Sequence, residues 1–387
     1  MKKIISKNTE SGTYLLQSNT ELLLGKNVVV CAVKDVESYY EDDSIFRDNC
    51  GNELGRALFY ARGCENVSIS GEEGSLIDGK GYLWRRGESK RPSLIRFVDC
   101  VNVTIKNLKL IDSPCWCIHL QNCENVTIEN VTIVSDCNAN NDGIDVDCCR
   151  NVYIADCYIE NGDDAIVLKS TKNISSTDIT IERCVLNTCG AGFKLGTESV
   201  GDFDRIIFQN NKIVRAQGCA IKIVPVDGAN VNNVLIKDVV AEKTTGPIFI
   251  ANGFRQRVYF DGQQKDTLST IKNVTIENFE AKVYIRADGY ADAGRGVVFV
   301  SGTPKSKIEN FALKNSRFKM PCGENDKGKT YKVEELTTQY PEYYTLGTAP
   351  AYGAYFRHVQ GVEMSAVVFE KTASDVRAEI VMEDVIK

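Results

Sequence analysis

The sequence predicts an all-β fold, a single-domain parallel β-helix, on three observations. A short motif recurs: Cys64-Glu65-Asn66-Val67-Ser68-Ile69 returns as Cys100-Val101-Asn102-Val103-Thr104-Ile105, as Cys123-Glu124-Asn125-Val126-Thr127-Ile128 and as Cys149-Arg150-Asn151-Val152-Tyr153-Ile154. The equivalent positions Val103, Val126, Val152, Ile179, Ile206 and Val234 are 23, 26, 27, 27 and 28 residues apart, a coil-length period typical of solenoids. The units between them alternate Val, Ile and Thr with polar residues and show no helical periodicity. A β-sandwich is the competing fold, but nothing in a sandwich requires a fixed coil length.

Along the chain, residues 1 to about 55 carry strand-like pieces such as Thr20-Glu21-Leu22-Leu23-Leu24 and an acidic loop around Glu41-Asp42-Asp43. They read as entry strands and an N-terminal cap. Residues of about 56–320 form the regular coils. In each coil the recurring Asn suits a corner, because Asn tolerates left-handed backbone and stacked amides can hydrogen-bond along a column. The recurring Cys reads as a small apolar residue facing inward. After Val234 the spacing grows to 40 and then 37 residues, so longer loops fall at about 252–270, 286–295 and 322–351. Residues of about 321–387 make a long loop and the final coils, with no domain boundary between 1 and 387.

Composition narrows the function. Of 387 residues, 43% are hydrophobic and 25% charged, enough for a large core. A net charge of -6 and the absence of a Lys/Arg tract give no reason to expect a nucleic acid partner. Neither a signal-peptide run nor a membrane-spanning run is present, which predicts a cytoplasmic protein, a trimmed secreted form being the alternative. Fifteen cysteines, an odd number, favour free thiols over a disulfide framework, and no Cys-x-x-Cys pair suggests zinc. No cofactor or metal is expected.

Stacking the strands that precede each repeat assembles a candidate site. Ile95, Ile118, Ile144, Ile166, Phe193, Ile221 and Ile248 form an inward column. Alternation turns Arg96, His119, Asp145, Val167, Lys194, Lys222 and Phe249 outward. Just before these strands stand Asp142, Asp164 and Ala191. With rungs about 4.8 Å apart, Asp142, Asp163 and Asp164 crowd into one cluster, flanked by Lys194, Lys222 and Arg96. Glycoside hydrolysis needs one protonated and one ionised carboxyl group, and crowding like charges drives their pKa values apart. Outward Asp residues at solenoid turns also serve as corners or bind Ca²⁺, but a packed trio is costly without a function.

On these residues the chain resembles glycoside hydrolase family 28, the polygalacturonase-like family, over roughly residues 57–250. The resemblance rests on Arg91-Pro92-Ser93-Leu94-Ile95-Arg96-Phe97, on Ser113-Pro114-Cys115-Trp116-Cys117-Ile118-His119, on Asn-x-Asp-Gly-Ile-Asp at Asn140 to Asp145, and above all on Gly-Asp-Asp-Ala-Ile at Gly162 to Ile166. It implies a right-handed coil, Asp163 as general acid, Asp142 and Asp164 holding and activating water, and inversion at the anomeric carbon. The family's Gly-His-Gly reads Gly190-Ala191-Gly192 here, and its Arg-Ile-Lys reads Ala220-Ile221-Lys222. The match is therefore to a divergent member. In the family the arginine and lysine hold substrate carboxylates, so a relative acting on another pectic or neutral-sugar linkage fits better than a standard polygalacturonase. Lys194 and Glu198 are candidates to replace what is missing.

Lys222, Lys194, His119, Asp145, Glu198 and Arg96 are the expected substrate-binding residues, with a hydrogen-bonded structural role the alternative for His119. Asp147 flanks the site. Trp116 reads as packing or as a sugar platform, and His358 as structural. Phe254, Tyr259, Tyr284 and Tyr290 are loop aromatics that either wall the site or anchor their own loops. The partner is an oligosaccharide, and the long late loops suggest exo action. Two other classes compete: a uronate lyase or epimerase using an Arg or Lys base, often with Ca²⁺, and a non-catalytic carbohydrate-binding β-helix such as an adhesin. The sugar on either side of the bond, the oligomeric state and whether a metal binds are not legible in the sequence.

Overall fold

Short parallel strands wind into stacked coils in the computed structural model, which describes residues 1–286, 296–324, 328, 331–335 and 337–386. Nearly every strand pairs in parallel with its counterpart one coil away, and the only α-helix among the described residues is the four-residue Tyr343–Leu346. The expected motif column is in register, with Val67, Val103, Val126, Val152, Ile179, Ile206, Val234, Val274 and Phe311 each paired to the next. Their side chains fill one continuous apolar core that runs along the coil axis.

The corners form for the reason the motif suggests. Asn66, Asn102, Asn125 and Asn151 all take left-handed backbone, with φ between 54° and 58°. Each donates from Nδ2 to Oδ1 of the Asn below it: Asn102 to Asn66 at 2.9 Å, Asn125 to Asn102 at 3.0 Å and Asn151 to Asn125 at 2.7 Å. The ladder pairs the side-chain amides of one corner with those of the next, and it locks the register of successive coils. Cys64, Cys100, Cys123 and Cys149 are buried free thiols behind it.

Within residues 1 to about 55, read as entry strands and a cap, short strands already pair in parallel. Lys2–Ile5 pairs with Glu21–Leu24, Thr9–Ser11 with Val29–Ala32, and Tyr14–Leu15 with Ala57–Arg62, all in parallel. The segment that follows leaves the coil and crosses its outer surface, where Phe46–Arg47 and Glu53–Leu54 make a small antiparallel pair. Of the three expected late loops, residues 287–295 lie outside the described residues, and Tyr290 with them.

One face positions the site. Ser93–Val98, Ile118–Gln121, Ile144–Asp147, Ile166–Ser170, Ala191–Ser199, Cys219–Pro225 and Ile248–Ala251 stack in that order. The inward column Ile95, Ile118, Ile144, Ile166, Phe193, Ile221 and Ile248 is fully buried. Truncating a core side chain such as Ile144 to Ala would cost about 2–5 kcal/mol. The outward column is in register from Arg96 to Phe249 as expected, yet these strands are buried on both sides. The crossing segment and the residue 252–269 loop roof part of this face through Phe46, Tyr259 and Phe260.

Candidate active site

Two turns set the acids. Asn141 donates from Nδ2 to the carbonyls of Ser113 (2.6 Å) and Cys115 (3.2 Å), while its Oδ1 accepts from the Asn138 amide at 2.7 Å. This clamp fixes the approach to Asp142. One coil on, the Asn161 amide donates to the carbonyls of Asn141, Asp163 and Asp164 at 2.7–2.9 Å and ties the two turns together. Gly190 then passes so close that a Cβ there would stand 2.4 Å from the Asp164 nitrogen, so glycine is needed for close approach rather than for a special φ.

The result is a carboxylate trio. One oxygen each of Asp142, Asp163 and Asp164 lies within 4.8 Å of the others. Asp142 and Asp164 are 4% and 5% exposed, and Asp163 is the member that reaches solvent. These oxygens could hold a cation, but they are also the pattern that acid–base chemistry needs.

Neighbours split the trio. Burial, and then the charge of Asp164, push Asp163 up to about 6. Asp164 is buried too, but the ammonium groups of Lys194 and Lys222 outweigh burial and hold it below the usual carboxylate range. Lys194 Nζ lies 2.6 Å from its Oδ2, and the Ala191 amide donates to its Oδ1 at 2.7 Å. Burial raises Asp142 well above the ordinary range, reinforced by Asp145 and Asp163. Adjacent residues thus take opposite protonation states below about pH 6.

Beneath the trio runs a buried charge network. Lys169 Nζ is 3.2 Å from Glu198, 3.4 Å from Asp145 and 3.8 Å from Asp142, and it stands 4.1 Å over the Trp116 ring. Burial would raise Glu198, but Lys169, Arg255 and Lys194 hold it down at about 2. Lys169 was not among the residues picked from the sequence. A signal existed: Gln121, Asp147 and Lys169 follow one another in register, a second outward column beside the first.

Lys194 and Lys222 stand beside Asp164 as the stacking predicts, and both are already paired. Lys194 also donates to the Tyr340 hydroxyl at 2.8 Å, and Lys222 to Oε1 of Glu342 at 2.5 Å. Tyr340 and Glu342 come from the late loop, 146 and 120 residues away in sequence, and no repeat or motif points to them.

Arg96 and His119 are corrected as substrate contacts. Both are fully buried: Arg96 donates to His119 Nδ1, to the Ser44 carbonyl at 2.9 Å and to Gln121 at 3.1 Å, beneath the crossing segment. Burial, and then Arg96, lower His119 to about 3, so it stays neutral and packs on Phe46 and Trp116. Asp145 is likewise enclosed: among the described residues its oxygens accept no hydrogen bond, and Lys169 is its ion partner. Sequence alternation does turn these side chains out of the coil core, but it cannot foresee the roof. Tyr259 anchors its own loop through Arg255 and Asp227, and His358 pairs with Asp384 and Glu335 away from the trio.

A family model described as Glycosyl hydrolases family 28 matches residues 49–326. The chain is 27% identical over 235 residues to the polygalacturonase QRT2 of Arabidopsis thaliana, covering 56% of this chain and 52% of that one. It is 26% identical to an endo-polygalacturonase of Pectobacterium carotovorum subsp. carotovorum, covering 70% of this chain and 73% of that one. The chain spans about a third to three-fifths of the length of the plant polygalacturonases it matches. Among solved structures, an exopolygalacturonase of Thermotoga maritima shares the fold with a TM-score of 0.68 at 21% identity, over 95% of this chain and 84% of that one.

Proposed function

Because the chain belongs to glycosyl hydrolases family 28, we propose that it hydrolyses an α-linked pectic or related plant oligosaccharide by acid–base catalysis at Asp163, Asp164 and Asp142. The observation that carries this reading is the opposite displacement of two neighbouring carboxyl groups, Asp163 upward to about 6 and Asp164 downward. Asp163 donates its proton to the glycosidic oxygen as the bond to the anomeric carbon breaks. Asp164 accepts a proton from the attacking water, and Asp142 holds that water with it.

Inversion follows from the family likeness rather than from spacing. The nearest trio oxygens lie within 4.8 Å, whereas the two carboxyl groups of most inverting glycosidases stand about 6.5–9.5 Å apart to leave room for water. The water would therefore sit beside the acid pair rather than between its members. A right-handed coil is proposed on the same likeness and on the strong right-handed preference of parallel crossover connections. Exo action is supported by the late loop, which brings Tyr340 and Glu342 against Lys194 and Lys222 and closes one side of the site. On a cytoplasmic location the substrate would be an imported oligosaccharide.

A panel of defined pectic and plant oligosaccharides tests the reading, with reducing ends quantified and the first-formed anomer read by proton NMR. Turnover on at least one member, abolished by Asp163→Asn, is the expected result. No turnover by the wild type on any member would leave the carbohydrate-binding reading in its place.

A further inference from the structure

Among the described residues, every lysine around the trio is already matched by a carboxylate. Lys169 meets Asp142, Asp145 and Glu198, Lys194 meets Asp164, and Lys222 meets Glu342. The last pair differs in origin. Its lysine belongs to the site face, one rung beyond Lys194, whereas its acid is delivered by the late loop. Lys222 is 3% exposed and the Glu342 side chain 13%, so the pair is largely withdrawn from water. Such a pair holds only while both partners stay, since either charge left alone there is costly.

Glu342 is fixed rather than swinging. It heads the short helix Tyr343–Leu346, where its backbone carbonyl accepts from the Thr345 amide at 3.1 Å and its own amide donates to Thr345 Oγ1 at 3.0 Å. The next residue, Tyr343, is buried and donates to the carbonyls of Ile248 and Val297. It lies so close to Gly246 that a Cβ on that glycine would meet the hydroxyl at 2.5 Å. The loop is thus docked on the coil, and it presents one carboxylate to one buried ammonium beside the catalytic acids.

We propose that Glu342 is a specificity-determining residue that occupies, from within the chain, the place of a sugar carboxylate on Lys222, so that the ring seated there is an uncharged sugar and not a uronate. A uronate entering beside Asp164 would bring another negative charge into a site already crowded with Asp142, Asp163, Asp164 and Glu198, with Lys222 no longer free to receive it. An uncharged ring meets neither penalty, and its hydroxyls can hydrogen-bond to the Glu342 carboxylate and the Tyr340 phenol. This rests on the site being the glycoside-binding site proposed above, but its test does not depend on turnover.

Binding of D-galactose and D-galacturonate, measured by calorimetry, separates the outcomes. Glu342→Gln removes the charge while leaving in place the backbone bonds to Thr345 that start the helix, and Glu342→Ala serves as the second variant. In either variant galacturonate should bind about tenfold tighter or more than in the wild type, the scale expected when a desolvated charge regains a partner. Galactose should change little, and adding Lys222→Met should erase the galacturonate gain. Galacturonate binding that is unchanged in both variants, or a wild type that prefers galacturonate to galactose, overturns the proposal. Loss of all turnover with this binding pattern intact would instead count against the catalytic reading alone.

Discussion

The ammonium of Lys194 lies 2.6 Å from Oδ2 of Asp164, and this contact separates two carboxyl groups that are neighbours in the chain. Asp164 points its oxygens at Lys194 and at the Ala191 amide, while Asp163 uses one oxygen to accept from the Asp164 amide at 2.9 Å and has no lysine in hydrogen-bond range among the described residues. Burial acts on both, but only Asp164 has a cation close enough to overcome it. The acid and the base of the proposed reaction are distinguished by that difference.

Lys194→Met should therefore convert Asp164 from an ionised to a readily protonated group. The expected outcome is a fall in kcat of ~10-fold or more, with the acidic limb of the pH–rate profile moving to higher pH. A uniform loss at every pH, with the acidic limb in place, would mean that Lys194 serves substrate binding instead.

Asp163→Asn should lower kcat by ~10²–10⁴-fold, the usual contribution of a positioned general acid. In the wild type, kcat/KM should decline as pH rises through about 6, where Asp163 loses its proton. Its folded pKa exceeds the unfolded one, so the stability it contributes is complete below the unfolded value and is lost as pH rises toward 6. The Asn variant, free of that penalty, should be more stable than the wild type at pH 7 by on the order of 1–2 kcal/mol, discounted for solvent reaching Asp163. The advantage should vanish below about pH 4. Thermal melts at the two pH values check this.

His119 is buried and neutral down to about 3, so unfolding releases it to take up a proton. Stability should fall as pH drops below 6.5 toward 3, and His119→Phe should flatten that fall. KM should stay within about twofold of wild type, because the ring is sealed under Phe46 and Trp116. A KM rise of tenfold would place it in contact with substrate after all.

Chelation discriminates between chemistries. The trio has the oxygen donors to hold a divalent cation, yet acid–base hydrolysis requires none. Exhaustive EDTA treatment should leave turnover unchanged, and products should show no absorbance from unsaturated uronates. Activity that disappears with EDTA and returns with Ca²⁺ would favour the lyase reading.

Much of the fold was legible because a coil repeats its own chemistry. The Asn and Cys of the motif recur where corners and core need them, and a period-2 strand states which side chains face in and which face out. Aligning the coils was enough to bring Asp142, Asp163 and Asp164 together across 21 and 22 positions and to put Lys194 and Lys222 beside them. Lys169 was reachable by the same alignment, through the column that begins at Gln121.

What lies over the coil follows no period. The crossing segment that seals Arg96 and His119 and the loop that carries Tyr340 and Glu342 dock by side-chain contacts spanning 52 to 146 residues. A sequence pattern records local geometry and its repetition, so by itself it determined the coil, its register and the meeting of the three acids. Only the tertiary structure decided which outward side chains stay open to a ligand and which charges are already paired, because burial and ion pairing depend on what folds back over a surface, and chain spacing holds no trace of that.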